Sequence, residues 1–155
     1  MESIDNGEII FVEDNPSETE LILRILKKSK LYNRVISFKD GISALQYLYN
    51  NLEGQKSAAV LPKVIFLDLR MPRIDGLDIL KKIKSYEGTK NIPVVMLTSS
   101  HEESIMKECY KAGVNSYIIK PTDYNSFVDH ITKAVLYWAC WNQSPQLTSL
   151  PKLPL

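Results

Sequence analysis

The sequence predicts an α/β protein built on a doubly wound, five-stranded parallel sheet, and three observations predict it. Short apolar runs recur along the chain, helix-length amphipathic segments separate them, and the runs lack polar alternation. Runs of that kind suit strands covered on both faces. They are "IIFV" (9–12), "VIFL" (64–67), "VVML" (94–97) and "YII" (117–119), with "VISF" (35–38) a weaker fifth. A strand–helix pair repeated five times implies right-handed crossovers and helices on both faces of the sheet.

The elements follow in order. After the first strand, Asn15 is placed as an N-cap with Pro16 at the first helical position and Glu18 completing a capping pattern. Leu21, Ile22, Ile25 and Leu26 then form one apolar stripe. "DGISALQYLYNNL" and "GLDILKKIKSY" supply the second and third helices. The pair Ser100 and Glu103 opens the fourth, which Gly113 ends. A fifth helix runs from Asp123 to Trp141. The one long connection, residues 51–63, reads as an exposed loop.

With 155 residues the chain can bury one good core. A single domain over 1–142 followed by a proline-containing tail, 143–155, is the expected organisation, with no separate output domain. Nineteen basic and 18 acidic side chains give a net charge of +1, which offers no electrostatic reason for nucleic acid or an anionic membrane as partner. The polar, acidic start "MESIDNGE" is unlike a signal peptide, and no apolar run approaches a membrane span. Cys109 and Cys140 lie far apart and fit neither a metal pattern nor a disulfide framework. The expectation is a cytoplasmic protein with reduced thiols. His101 and His130 lack ligand-spaced partners and read as surface residues.

Polar residues end the strands: Glu13 and Asp14 after the first, Asp68 at the third, Thr98 after the fourth and Lys120 after the fifth. In a parallel sheet these ends share one edge. Open α/β sheets bind ligands there, at the reversal of strand order, which in the order 2-1-3-4-5 falls between strands one and three and sets Asp14 against Asp68. Carboxylates about 4 Å apart repel by about 4 kcal/mol per pair at an effective dielectric near 20. They call for a cation, and hard oxygen ligands favour Mg²⁺. An ammonium from Lys120 and a hydroxyl from Thr98 beside that cation suit the oxygens of a transferring phosphoryl group, with Asp68 as nucleophile.

On the motifs "FVEDNP", "FLDLRMPRIDG", "VVMLTSS" and "YIIKP", the chain resembles response-regulator receiver domains of two-component signalling, a flavodoxin-like (βα)5 fold, over nearly all of residues 8–141. The resemblance implies that Asp68 is the phosphoacceptor, that Asp14 and the backbone carbonyl of Arg70 bind Mg²⁺ directly, and that Glu13 acts largely through water. It implies that Thr98 and Tyr117 switch together and that Lys120 pairs with the phosphoryl group, held by a cis Lys120–Pro121 bond. The donor would be a phosphohistidine of a sensor histidine kinase. Arg70 and Ser100 occupy positions that tune phosphoryl lifetime in this family. Pro62, "TSSHEES" and the aromatic "LYWACW" before Pro145 resemble the single-domain regulators that partner bacterial phytochromes, although Ala139 and Ser144 stand where larger apolar residues are expected.

Other functions fit less well. Mg²⁺-dependent aspartyl-phosphate hydrolases carry a second acid two residues after the nucleophile, where this chain has Arg70, so no independent enzyme is expected. Neither glycine-rich nucleotide motif is present. A receiver-fold scaffold working without phosphorylation is the alternative, and the intact set of polar strand ends argues against it. Finally, "FVDHITKAVLYWACW" begins with a one-face stripe of Phe127, Ile131, Val135 and Trp138 and becomes apolar all round from Ala134 to Trp141. The excess needs cover. Either the tail folds back over it or a second subunit does; a homodimer through the fifth helix and tail, with those residues and Trp141 as interface candidates, is the expectation.

Overall fold

The structure, a computed structural model, describes residues 7–28, 34–53 and 61–145. Strands β1 (Ile9–Val12), β2 (Val35–Phe38), β3 (Val64–Leu67), β4 (Val94–Thr98) and β5 (Ser116–Ile119) alternate with helices α1 (Pro16–Lys27), α2 (Gly41–Glu53), α3 (Gly76–Ser85), α4 (Glu103–Lys111) and α5 (Tyr124–Leu136). A π-helical turn, Tyr137–Trp141, continues α5. All pairings are parallel, in the order β2-β1-β3-β4-β5. This is the expected doubly wound fold.

Period-two alternation sends each strand's side chains to opposite faces. Ile10, Val12, Ile65 and Leu67 pack toward α2, α3 and α4. Ile9, Phe11, Val64 and Phe66 pack toward α1 and α5, with the Phe11 and Phe66 rings stacked at 4.6 Å. Both faces being covered explains the unbroken apolar runs.

Three expectations are corrected. Phe127, Ile131 and Val135 are buried on the α1/α5 face of the core and offer nothing to a partner; Ala139 continues that row and Trp138 lies half-buried at its edge. A stripe spaced at four residues fills the sheet face before any other surface, because α5 must cover strands there. Trp141, by contrast, is 66% exposed, and Tyr137 stands out beside it. Second, the helix does not run uniformly to Trp141. Asn142 N–H donates to the Tyr137 carbonyl at 2.7 Å, the wider spacing of a π-turn. Third, the Lys120–Pro121 bond is trans, as are all described peptide bonds. The tertiary amide intrinsically prefers trans, and Lys120 reaches its carboxylates with the bond in that form.

Smaller differences concern caps. Asn15 Oδ1 does accept from the N–H groups of Ser17 and Glu18, but the reciprocal bond to Asn15 N–H comes from Glu13 Oε1 at 3.1 Å, which leaves the Glu18 carboxylate for another partner. Helix α4 begins after Glu102, whose side chain makes no cap, while Ser100 Oγ accepts from Glu102 N–H in a turn just ahead of it. Gly113 takes φ +97 after α4, the left-handed conformation expected of its helix-ending glycine. The tail beyond Pro145 and most of the 51–63 connection lie outside the described residues.

Candidate functional site

Backbone hydrogen bonds continue the sheet ladder one residue past several strands and so align the polar ends. Glu13 N–H donates to the Phe38 carbonyl (3.0 Å), Asp68 N–H to Val12 (3.0 Å) and Lys120 N–H to Thr98 (2.7 Å). Glu13, Asp14, Asp68, Thr98 and Lys120 thereby line one cleft of about 700 Å³ at the C-terminal edge of the sheet, together with Glu18, Arg70, Ser100 and Glu102. Gly76 holds the floor. Its N–H donates to the Leu69 carbonyl at 2.7 Å, and a Cβ there would lie 2.2 Å from the Asp68 carbonyl oxygen, so α3 can start against the Asp68 backbone only without a side chain. The intervening loop is tightened by Ile74 N–H donating to the Pro72 carbonyl at 2.9 Å, with Arg73 at φ +71.

Lys120 is the electrostatic centre. Its Nζ lies 2.7 Å from Glu18 Oε1, 3.0 Å from Glu13 Oε2 and 3.5 Å from Asp68 Oδ1, with its side chain 9% exposed. Burial alone would lower the pKa of the ammonium, but the Glu18 hydrogen bond and the charges of Asp68 and Glu13 outweigh it and raise the pKa. The acids feel the reverse strain. Burial pushes Glu13 up to about 7 against the pull of Lys120, and Asp68 supplies a further upward push. Asp68 is also raised, chiefly by burial, with Lys120 opposing and Glu18 and Asp14 adding to the rise.

Glu13, Asp14 and Asp68 each present an oxygen within 4.8 Å of the others. Apart from the Arg70–Glu102 pair, one lysine faces four carboxylates in the cleft, Glu13, Asp14, Glu18 and Asp68, and burial raises Glu13 and Asp68 by more than that ammonium lowers them. The all-oxygen donor set fits a divalent cation of the Mg²⁺ class, which takes one or two carboxylates and keeps several waters.

The other expected residues are placed as follows. Thr98 is buried, and its Oγ1 accepts from Ser100 N–H at 3.1 Å, which leaves its own proton available for donation toward the cleft. Tyr117, half-buried on the edge strand β5, donates from its hydroxyl to the Ser100 carbonyl at 3.1 Å. Arg70 lies on the β3–α3 loop, its backbone following Asp68 and its guanidinium paired across the cleft with Glu102 at 3.1 Å. Two participants escaped the sequence reading. Glu18 looked like a capping residue and pairs with Lys120 instead; its place in the first turn of α1, just after the strand-end acids, was the available signal. Glu102 carried no signal, because its partner is 32 residues away.

Comparison with known proteins agrees with this site. Residues 9–132 match the response regulator receiver domain family. The chain is 37% identical over 145 residues to the probable methanogenesis regulatory protein FilR2 of Methanothrix harundinacea, covering 94% of this chain and 92% of that one. It is 32% identical over 130 residues to the response regulator Rcp1 of Synechocystis, covering 84% and 87%. The crystal structure of the Mn²⁺-bound form of Rcp1 superposes with a TM-score of 0.78 at 30% identity, covering 90% of this chain and 99% of that one. The phosphorylated cyanobacterial phytochrome response regulator RcpA gives 0.77 at 33% identity with the same coverage. With strand order, acidic cluster and matched length in agreement, this chain belongs to the response regulator receiver domain family and acts in phosphorylation-based signalling.

Proposed function

We propose that Asp68 accepts a phosphoryl group from the phosphohistidine of a sensor histidine kinase and that the modified domain signals by protein contact. The observation that carries this reading is the Lys120 ammonium lying against Asp68 inside a cluster of three carboxylates that supplies a cation site. Asp14, Asp68 and the Arg70 backbone carbonyl would hold Mg²⁺ directly, with Glu13 acting largely through water; bound there, the ion would neutralise charge on the phosphoryl oxygens. In the transfer, the P–N bond of the donor breaks with its electron pair going to the imidazole nitrogen, and an Asp68 oxygen forms the new O–P bond. Lys120 follows the phosphoryl charge at the expense of its contacts with Glu13 and Glu18. The Thr98 hydroxyl donates to a phosphoryl oxygen and draws the Ser100 segment, hence Tyr117, inward. The modification replaces a charge of −1 by roughly −2, enough to rebalance such a site.

The domain itself has no turnover beyond making and losing its own acyl phosphate. We take residues 1–142 as the receiver unit and 143–155 as its tail. We place the protein in the cytoplasm; none of the described helices is long and apolar enough to cross a membrane. A phytochrome as the kinase partner rests on the likeness to Rcp1 and RcpA. A homodimer through the outer face of the π-turn rests on Tyr137 and Trp141, 46% and 66% exposed and edge-to-face at 6.5 Å, since paired aromatics are enriched in interface cores.

The deciding experiment is intact-mass spectrometry after treatment with acetyl phosphate and Mg²⁺, run beside Asp68→Asn and in line with size-exclusion light scattering. One added phosphoryl group that the variant lacks is the expected result. No adduct on the wild-type protein would favour a scaffold role.

A further inference from the structure

The cleft contains a second cation whose use the phosphorylation reading leaves open. Among the described residues, its lysine and arginine are Lys120 and Arg70. Lys120 is committed to three carboxylates. Arg70 is held by one, Glu102, at 3.1 Å, and both partners are largely exposed, 67% and 60%. This pair joins the β3–α3 loop to the residue that opens α4, directly across the mouth of the cleft. The Tyr117 hydroxyl, bonded to the Ser100 carbonyl two residues before Glu102, lies within the field of both charges. Glu102 makes no side-chain cap on its own helix, so the ion pair is its visible commitment.

An exposed carboxylate holds a guanidinium weakly. A phosphoryl group carries roughly twice the charge, offers three acceptor oxygens and matches the guanidinium fork. We propose that Arg70 and Glu102 form a phosphoryl-sensitive clasp: the guanidinium rests on Glu102 in the unmodified protein and moves to an oxygen of the phosphoryl group on Asp68, releasing the N-terminus of α4. Arg70 then touches the reacting group, whereas Glu102 is a positioning residue that acts only through Arg70. The inference rests on the phosphorylation reading, and it gives that site a device for passing its state to α4 that is separate from Thr98 and Tyr117.

The test is a double-mutant cycle of Arg70→Gln, Glu102→Gln and the pair. All are exposed substitutions that leave the Arg70 backbone carbonyl in place. Beryllium fluoride with Mg²⁺ serves as the phosphoryl probe, its bound fraction read from fluorine resonances, alongside the initial rate of phosphorylation by acetyl phosphate, in which the P–O bond to acetate breaks with its electron pair leaving on acetate. Removing Glu102 frees the guanidinium, so Glu102→Gln strengthens beryllium fluoride binding about two- to five-fold, the range an exposed pair supports. Arg70→Gln weakens binding, and the double variant matches Arg70→Gln, because Glu102 has nothing left to act through. An equal gain from Glu102→Gln in both backgrounds would mean that Glu102 merely repels the anion and would overturn the clasp, as would no effect from either single variant. Wild-type protein that takes up neither probe overturns the phosphorylation reading itself, and the clasp falls with it; wild-type uptake with an additive cycle overturns the clasp alone.

Discussion

Replacing Asp14 by Asn is expected to stabilise the protein without metal while removing its response to Mg²⁺. Asp14 faces Glu13 and Asp68, the three presenting oxygens within 4.8 Å. At that separation and an effective dielectric of about 20, each ionised pair costs about 3.5 kcal/mol. Asp14 is exposed and, among the described residues, makes no hydrogen bond or ion pair that Asn would lose, and solvent and salt screening reduce the two repulsions to a combined gain of about 1–2 kcal/mol. For a domain of this size that is a rise in Tm of about 2–8 °C. The assay is thermal unfolding followed by circular dichroism, first with a chelator and then across a Mg²⁺ titration. Wild-type protein should gain about 2.7 kcal/mol when Mg²⁺ reaches one hundred times its Kd, and the variant should stay flat. A variant less stable than wild type with chelator present, or one stabilised equally by Mg²⁺, would refute both the repulsion and the metal assignment.

Further outcomes follow from other parts of the molecule. Lys84 Nζ donates to the carbonyls of Lys90 and Ile92 and to Asn115 Oδ1, and burial pushes its ammonium down to about 8. Between pH 8 and the unfolded value near 10.5 the unfolded chain binds the extra proton at this lysine, so the Lys84 contribution to stability should rise with pH across that window, opposed by the Cys109 thiol that burial pushes up. Lys84→Met should flatten that slope in denaturant titrations and cost stability at pH 7 through three lost hydrogen bonds, whereas an unchanged slope would exclude Lys84 as its source. Tyr86 buries its hydroxyl without a partner, edge-on to Tyr49 at 5.6 Å. Tyr86→Phe should therefore be neutral to about 1 kcal/mol stabilising, and a loss above that size would reveal an uncounted bond. Phe127→Ala should cost about 3–5 kcal/mol in urea titrations because its ring is in the core, whereas Trp141→Ala should change stability by less than about 0.5 kcal/mol and, in light scattering, convert the proposed homodimer to monomer. A Trp141→Ala protein that remains dimeric would move the interface elsewhere.

Much of the fold and of the site is legible in the order of residues alone, because local signals and the fold agree. Two-sided burial writes itself as unbroken apolar runs, so β1 and β3 were legible residue for residue and β4 in all but its last residue, Thr98. Parallel strands deliver their last residues to one edge, so Glu13, Asp14, Asp68, Thr98 and Lys120 could be grouped from position alone. The proline at N1 of α1 and the left-handed Gly113 after α4 are backbone preferences that neighbours did not override.

Choices between partners, in contrast, depend on the packed molecule. Glu18 had two candidate destinations, a cap and a distant lysine, and the buried ammonium of Lys120 won because a charge-assisted pair in a shielded cleft outweighs one exposed N–H. Glu102 and Arg70 meet only after β4 and α4 are laid beside the β3–α3 loop. On α5 the periodicity marked an apolar face for Phe127, Ile131 and Val135, yet only the packed sheet could show that this face turns inward and that Tyr137 and Trp141 are left outside. Periodicity records that a side chain needs cover; which surface supplies it depends on contacts between segments far apart in the chain.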